Sequence, residues 1–325
     1  MQIGIIGAGA VARLHAVAAE RLGLRLTAVC DLREEAARSV AADWGARTTT
    51  DYRRLLDDPD VDAVIVNTPH ALHRQMVLDA AAAGRHVLVE KPMATTVEDC
   101  LMMEAACRRA GVALVVGMIQ HFLPEKVVLE KVVNDGELGQ VLAVQDSRST
   151  DYRPSARPAW FFDPAVSGGG ALMNIGAHCL DRGLWLGGAR AESIRAKVLD
   201  RFAAGVETDG RISLTLANGV DVGIGVVSDC PEPVDRLLLV CEGGTLLSDA
   251  RRGAFLRKNG HTRVLHEFTD HDIQNAFTSQ MADFCAAVAG VPSLVSNEHA
   301  RHIVEVVLLA YQSAATGQTL TLQPA

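Results

Sequence analysis

The 325-residue chain has no apolar run approaching the ~20 residues that a membrane-spanning helix needs. It has no basic run either. Its formal charge is −8, so it lacks the electrostatic footprint of a protein that binds nucleic acid or an anionic membrane. Seven cysteines are present (Cys30, Cys100, Cys107, Cys179, Cys230, Cys241 and Cys285), but none forms a C-x-x-C pair. Most lie in apolar runs and are expected as buried thiols of a reducing cytoplasm; no metal is implied. There is no internal repeat and no low-complexity linker. The first residues already form a strand, so no signal peptide is expected ahead of them. What is present is ordinary for a globular chain: 49% hydrophobic and 22% charged residues, with a length that suits two domains or one large one.

The opening stretch, MQIGIIGAGAVA, carries the most information. A short apolar strand with Ile3, Ile5 and Ile6 runs into Gly7, Gly9 and Ala12, a G-x-G-x-x-A fingerprint. Gly7 makes the tight turn, Gly9 lets backbone approach a pyrophosphate, and Ala12 is small enough to pack the next helix on the strand. The N–H groups of Ala10 and Val11 would face phosphate oxygens at that helix start. A second apolar strand, residues 24–30, ends in Asp31, which falls where a ribose-binding acid is required. Dinucleotide binding is therefore expected. A carboxylate at Asp31 repels a 2′-phosphate and favours NAD, whereas Arg33 leaves NADP open. Surface charge on a first helical turn is the alternative for Arg33.

Strands are expected at residues 2–6, 24–30, 63–67, 86–89 and 113–117, with helices at 33–44, 74–83 and 96–110 between them. Short strands that are apolar throughout and alternate with helices imply a parallel sheet covered on both faces. Thr95 or Thr96 is expected to cap the last of these helices. Beyond about residue 120 the texture changes. Segments 138–150, 193–202, 207–216, 220–227 and 236–242 alternate in polarity and predict a largely antiparallel sheet, followed by helices at 272–289 and 298–316. The fold class expected is α/β, with a doubly wound parallel Rossmann sheet over residues 1–120 and an α+β domain over 121–325.

Polar residues gather in three places where a doubly wound sheet puts its ligands. Asn67-Thr68-Pro69-His70 follows a buried strand, with His73 opening the next helix. Val87-Leu88-Val89 runs into Glu90-Lys91-Pro92, leaving a lysine at a strand end. Ser167-Gly168-Gly169-Gly170 precedes a segment in which Asn174 and His178 would be i,i+4 neighbours on one helical face, with Asp181 one turn beyond. For each, a structural reading stands beside the functional one: strand-end turn, surface charge, or core histidine.

These motifs, in this order and spacing, resemble the Gfo/Idh/MocA oxidoreductases, the family of glucose–fructose oxidoreductase and inositol dehydrogenase. The match is carried by GAGAVA, Thr68-Pro69 with His73, Glu90-Lys91-Pro92, and the glycine triplet leading to Asn174, His178 and Asp181. The resemblance implies that Lys91 and His178 are a catalytic pair, with Asn174 where many members carry Asp. It implies cofactor contacts from Gly7, Gly9, Ala10, Val11, Asp31, Thr68, Glu90 and Lys91; His70, His73 and Arg33 join that candidate set from their position. Trp160 matches an aromatic near the family's active site, and His121 falls where members often have Arg. Asn174 is the main departure: a neutral amide cannot stabilise an imidazolium as a carboxylate would.

By the same resemblance, the expected activity is NAD(P)-dependent hydride transfer at a secondary alcohol of a sugar, sugar derivative or cyclitol. His178 would act as general acid/base and Lys91 would bind the reacting oxygen. Relatives that hydrolyse glycosides through transient oxidation, and non-catalytic sugar sensors, are the alternatives; the presence of both Lys91 and His178 argues against a sensor. A homodimer or homotetramer is also implied.

Overall fold

The structure, a computed structural model, describes residues 1–230 and 232–322. It divides into two compact units. The first is Met1–Phe122 with Ile273–Arg301; the second is Leu123–Asp272 with the chain from His302 onward.

In the first unit strands and helices alternate as β1 (Gln2–Ile6), α1 (Ala12–Arg21), β2 (Arg25–Cys30), α2 (Glu34–Ala41), β3 (Arg47–Thr49), α3 (Tyr52–Leu56), β4 (Ala63–Val66), α4 (His73–Ala82), β5 (His86–Glu90), α5 (Val97–Ala110) and β6 (Leu114–Gly117). The six strands are parallel and ordered β3-β2-β1-β4-β5-β6, the arrangement of a dinucleotide-binding sheet whose switch point lies between β1 and β4. Ile3, Ile5, Val64, Ile65, Val87 and Leu88 are wholly buried, as strands covered on both faces require. The Thr96 hydroxyl accepts the Asp99 N–H at 3.1 Å and caps α5, as expected. β3 and α3 lie in the stretch that sequence patterning left without an element, because three- and five-residue elements give too little periodicity to detect.

The second unit contains α6 (Pro124–Asn134), β7 (Val141–Thr150), α7 (Pro164–Ser167), α8 (Ala177–Gly187), β8 (Ala191–Leu199), β9 (Asp209–Leu216), β10 (Asp221–Ser228), β11 (Asp235–Cys241), β12 (Gly244–Asp249), β13 (Gly253–Lys258) and β14 (His261–Glu267). The chain then runs through α9 (Asp272–Val288) and α10 (Asn297–Thr316) to β15 (Leu320–Thr321). The nine strands are ordered β14-β13-β12-β11-β7-β10-β9-β8-β15, and every pairing is antiparallel except β7 with β10. α8 packs on β7 and β10, and α6 on β12, β13 and β14.

The chain leaves the first unit after Phe122 and returns to it for one later segment. Residues 273–301 belong to the first unit. The Gln274 side chain donates to the Leu14 carbonyl (3.0 Å), Phe277 meets the His15 ring edge-on, and Asn297 donates to the Leu114 carbonyl (3.1 Å). None of these contacts leaves a local sequence signal. Five cysteines are buried and all seven are free thiols; burial pushes Cys30 and Cys107 up to about 11 and Cys100 up to about 12, so they are held as inert thiols. Among the described residues no helix is long and apolar enough to cross a membrane.

One charge network organises the second unit. Arg182, on α8 and fully buried, grips Asp146 of β7 through Nε and through Nη2 (2.7 Å), and its Nη1 lies 2.6 Å from Asp235 Oδ1 at the start of β11. Lys126 of α6 is buried beside it, paired to Glu125 at 2.7 Å; burial, then the nearby Arg182, lower its pKa. Burial alone would raise Asp235, but Arg182, Arg148 and Lys126 hold it down to about 2.

Replacing the guanidinium with an apolar chain strands two carboxylates. Arg182→Met is expected to lose about 3–5 kcal/mol in urea denaturation at neutral pH. Asp235 has its pKa depressed in the fold, so its contribution is complete above the ordinary carboxylate value of 3.8 and is lost as pH falls from there towards 2. Parent stability measured from pH 5 to 2 should fall in that window, and a flat profile would contradict the pairing.

Candidate active site

The sequence-predicted residues fall into two sets, one in each unit. In the first unit they cluster at the carboxyl ends of the strands. Gly7 follows β1 with φ +98°, and a Cβ there would sit 2.8 Å from the main-chain carbonyl of Asn67, so the turn after β1 closes against the turn after β4. Gly9 is exposed, and a Cβ built on it would meet nothing within 4 Å. That open ground at the start of α1, whose N-terminus has no side-chain cap, fits an incoming diphosphate. Ala10 is exposed, Val11 is the N-cap, and Ala12 is fully buried.

Asp31 follows β2 and is fixed before any ligand arrives. Its Oδ2 accepts the Ala8 N–H and its Oδ1 the Arg33 N–H, both at 2.9 Å. A carboxylate has about four acceptor positions, so two main-chain donors leave capacity for ribose hydroxyls. The Arg33 side chain is 79% exposed, with Nε 3.7 Å from Asp31.

The remaining first-unit residues brace one another. Glu90, at the end of β5, lies 2.8 Å from Nε2 of the wholly buried His15 on α1. Gly117 opposite it leaves room for that carboxylate, since a Cβ there would approach it to 3.1 Å. His73 opens α4. It is wholly buried, with Nε2 2.9 Å from the Thr68 carbonyl and Nδ1 3.0 Å from the Pro92 carbonyl. Burial lowers its pKa, so the neutral ring donates its single N–H to one of these carbonyls and packs between the Thr68 turn and the Lys91-Pro92 turn. Thr68 donates its hydroxyl weakly to Met76 Sδ (3.3 Å), and His70 is buried 5.9 Å from His73, ring to ring. Lys91 is half-buried between these braces, with a cis peptide to Pro92. His121 is buried in a 3₁₀ turn after β6, its ring edge-on to His299.

In the second unit the helix expected after the glycines begins differently. Leu172–Gly176 is a π-helix, and α8 follows from Ala177. Asn174 lies in the π-helix, whose turns close i to i+5, and His178 in the first turn of α8. Glu207 sets this local geometry. Its carboxylate accepts the N–H groups of Gly170 (2.9 Å) and Leu172 (2.8 Å) and the Tyr311 hydroxyl (2.7 Å), while its carbonyl accepts Ala171 N–H (2.8 Å). A Cβ on Gly170 would fall 2.0 Å from the Glu207 carbonyl oxygen, and one on Gly169 2.1 Å from the Tyr311 hydroxyl. The glycines are there because these partners occupy the space a side chain needs. Despite its donors, burial raises the Glu207 pKa.

Asn174 is buried, His178 half-buried and Asp181 fully buried. Trp160 is half-buried and stacked on Phe161 (3.8 Å between centroids). Two neighbours escaped the sequence reading. The Tyr152 phenol is wholly buried close to Asn174, and Arg157 lies over its ring at 4.7 Å. Both fall in the loop after β7, where residue order alone does not reveal which side chains turn inward.

The family model described as "Oxidoreductase family, NAD-binding Rossmann fold" matches residues 1–118, and the "GFO/IDH/MocA C-terminal domain" model matches residues 127–247. The chain is 27% identical to a levoglucosan dehydrogenase of Pseudarthrobacter phenanthrenivorans over 87% of this chain and 78% of that protein. It is 35% identical to inositol 2-dehydrogenase 2 of Saccharopolyspora erythraea over 57% of this chain and 53% of that protein. Several other curated relatives are likewise matched over only 50–64% of their own length. Among solved structures, GenD2 from gentamicin A biosynthesis in complex with NAD superposes with a TM-score of 0.90 at 26% identity, over 100% of this chain and 97% of that one.

Removing the Glu207 carboxylate leaves the Gly170 and Leu172 N–H groups buried without acceptors. Glu207→Ala is expected to cost about 2–4 kcal/mol in chemical denaturation. A variant as stable as the parent would show that the glycine turn holds without it.

Proposed function

Because the chain belongs to the Gfo/Idh/MocA oxidoreductases, with their NAD-binding Rossmann domain, we propose that it is a dehydrogenase of a secondary alcohol on a sugar, sugar derivative or cyclitol. The observation that carries the reading is the bracing of Lys91. A lysine at a parallel strand's carboxyl end follows a glutamate held by His15 and precedes a turn packed against His73. Such rigidity suits a group that must meet one atom of a substrate, whereas a surface lysine needs none.

NAD, when bound, supplies the hydride acceptor; Gly7, Gly9, Ala10 and Val11 would hold its diphosphate and Asp31 its ribose. Lys91 binds the reacting hydroxyl through Nζ and stabilises negative charge that develops on the oxygen. His178 takes the hydroxyl proton on a ring nitrogen, an imidazole being suited to gain and lose a proton near neutrality. Asn174 supplies no charge to His178. Its amide is a hydrogen-bonding group for the substrate or the imidazole, with the Tyr152 phenol close by. Trp160 and His121 serve as substrate-facing walls.

Two measurements test this. With a panel of polyols, sugars and nucleotide sugars, absorbance should report NAD reduction by at least one substrate. On that substrate His178→Ala should lower kcat by about 10²–10⁴ with NADH affinity retained. Full activity of Lys91→Ala would remove Lys91 from the mechanism. For the coenzyme, fluorescence titration should show tighter binding of NADH than NADPH, and Asp31→Ser should narrow the ratio by at least about tenfold. Tighter NADPH binding by the parent would overturn the role given to Asp31.

A further inference from the structure

Arginines gather at one rim of the second unit's sheet, although the chain as a whole is acidic. A cleft of about 590 Å³ is lined by Arg148 and Ser149 at the end of β7, by residues 232–236 leading into β11, and by Asp249–Arg252 at the turn from β12 to β13. Its size lies within the ~300–1,000 Å³ of small-molecule sites. Strand register brings the distant segments together: Asp235 stands opposite Arg148, and Arg236 opposite Asp249. None of the candidate catalytic or cofactor-binding residues lines it.

Two of the three acids in the cleft are already committed. Asp235 is held by the buried Arg182 at 2.6 Å, with Arg148 Nε at 3.5 Å. Asp249 accepts from Arg236 Nε (2.8 Å) and from the main-chain N–H of Arg251 (3.1 Å). Glu232 is exposed. Among the described residues the guanidinium groups of Arg251 and Arg252 enter no ion pair; Arg252 only overlies the Phe255 ring at 5.5 Å. Arg148 Nη1 is buried with no hydrogen-bond partner. The cleft thus sets four arginines against three carboxylates, one of which, Asp235, is also held by Arg182 from below, and the two uncommitted guanidinium groups are those of Arg251 and Arg252.

We propose that this cleft binds a phosphate group, either as the monoester of a sugar or as inorganic phosphate. Guanidinium forks match phosphate oxygens in pairs, and several forks converging from different strands suit a tetrahedral dianion better than a planar carboxylate, which one fork saturates.

The test is calorimetric titration of the full chain, saturated with NADH so that the coenzyme cradle is closed to phosphate, at constant ionic strength. Inorganic phosphate and glucose 6-phosphate should bind saturably. Arg251→Ser/Arg252→Ser, a double change in an exposed turn, should weaken both by at least about tenfold with NADH affinity unchanged. Tighter binding of glucose 6-phosphate than of phosphate identifies a sugar ester as the ligand; equal affinities identify the free anion. Absence of saturable heat from either, or equal affinities in parent and double variant, overturns the proposal. No turnover enters the measurement, so its failure leaves the dehydrogenase reading intact.

Discussion

The buried grip of Arg182 on Asp146 and Asp235 is the constraint on which the second unit rests. It joins α8 to two neighbouring strands from a residue one helical turn after His178. A salt bridge of this kind contributes little net stability against a well-packed apolar alternative. What it supplies is register: a sliding or rotating α8 would leave at least one charge unpaired in the interior. Glu207 does the same at the other end of the segment, holding the glycine turn and the π-helix that carries Asn174.

The first unit solves the equivalent problem with histidines. His15 pins Glu90 to α1, and His73 packs between the turn after β4 and the turn after β5. Lys91 stands between these braces. Gly7 and Asn67 close the switch point so tightly that no side chain fits, while Gly9 two residues later faces open space. The same loop is therefore closed at Gly7, where it supports the sheet, and open at Gly9.

Much of this was legible in the sequence because it is local. Strand–glycine–helix at residues 2–12, the acid at Asp31, and the run into Glu90-Lys91-Pro92 each declare themselves within a dozen residues. The change of texture after residue 120 announced the mostly antiparallel sheet. What stayed hidden depends on partners far away in the chain. Residues 273–301 return to the first unit through contacts that include Leu14, His15, Arg21 and Leu114. The π-helix owes its form to Glu207 and Tyr311, and His73 becomes a brace only once Pro92 is beside it. The strands of 244–267 and helix α6 leave a weak sequence signal because their apolar residues are interrupted by charge.

The proposed chemistry requires an amine from the β5 turn and an imidazole from α8 to act on one hydroxyl beside the coenzyme. A crystal structure with NADH and a bound polyol tests it most directly. Lys91 Nζ and a ring nitrogen of His178 should both lie within about 3.2 Å of the same substrate oxygen. If the two side chains reach different atoms, or lie on opposite faces of the nicotinamide, the proposed chemistry is contradicted.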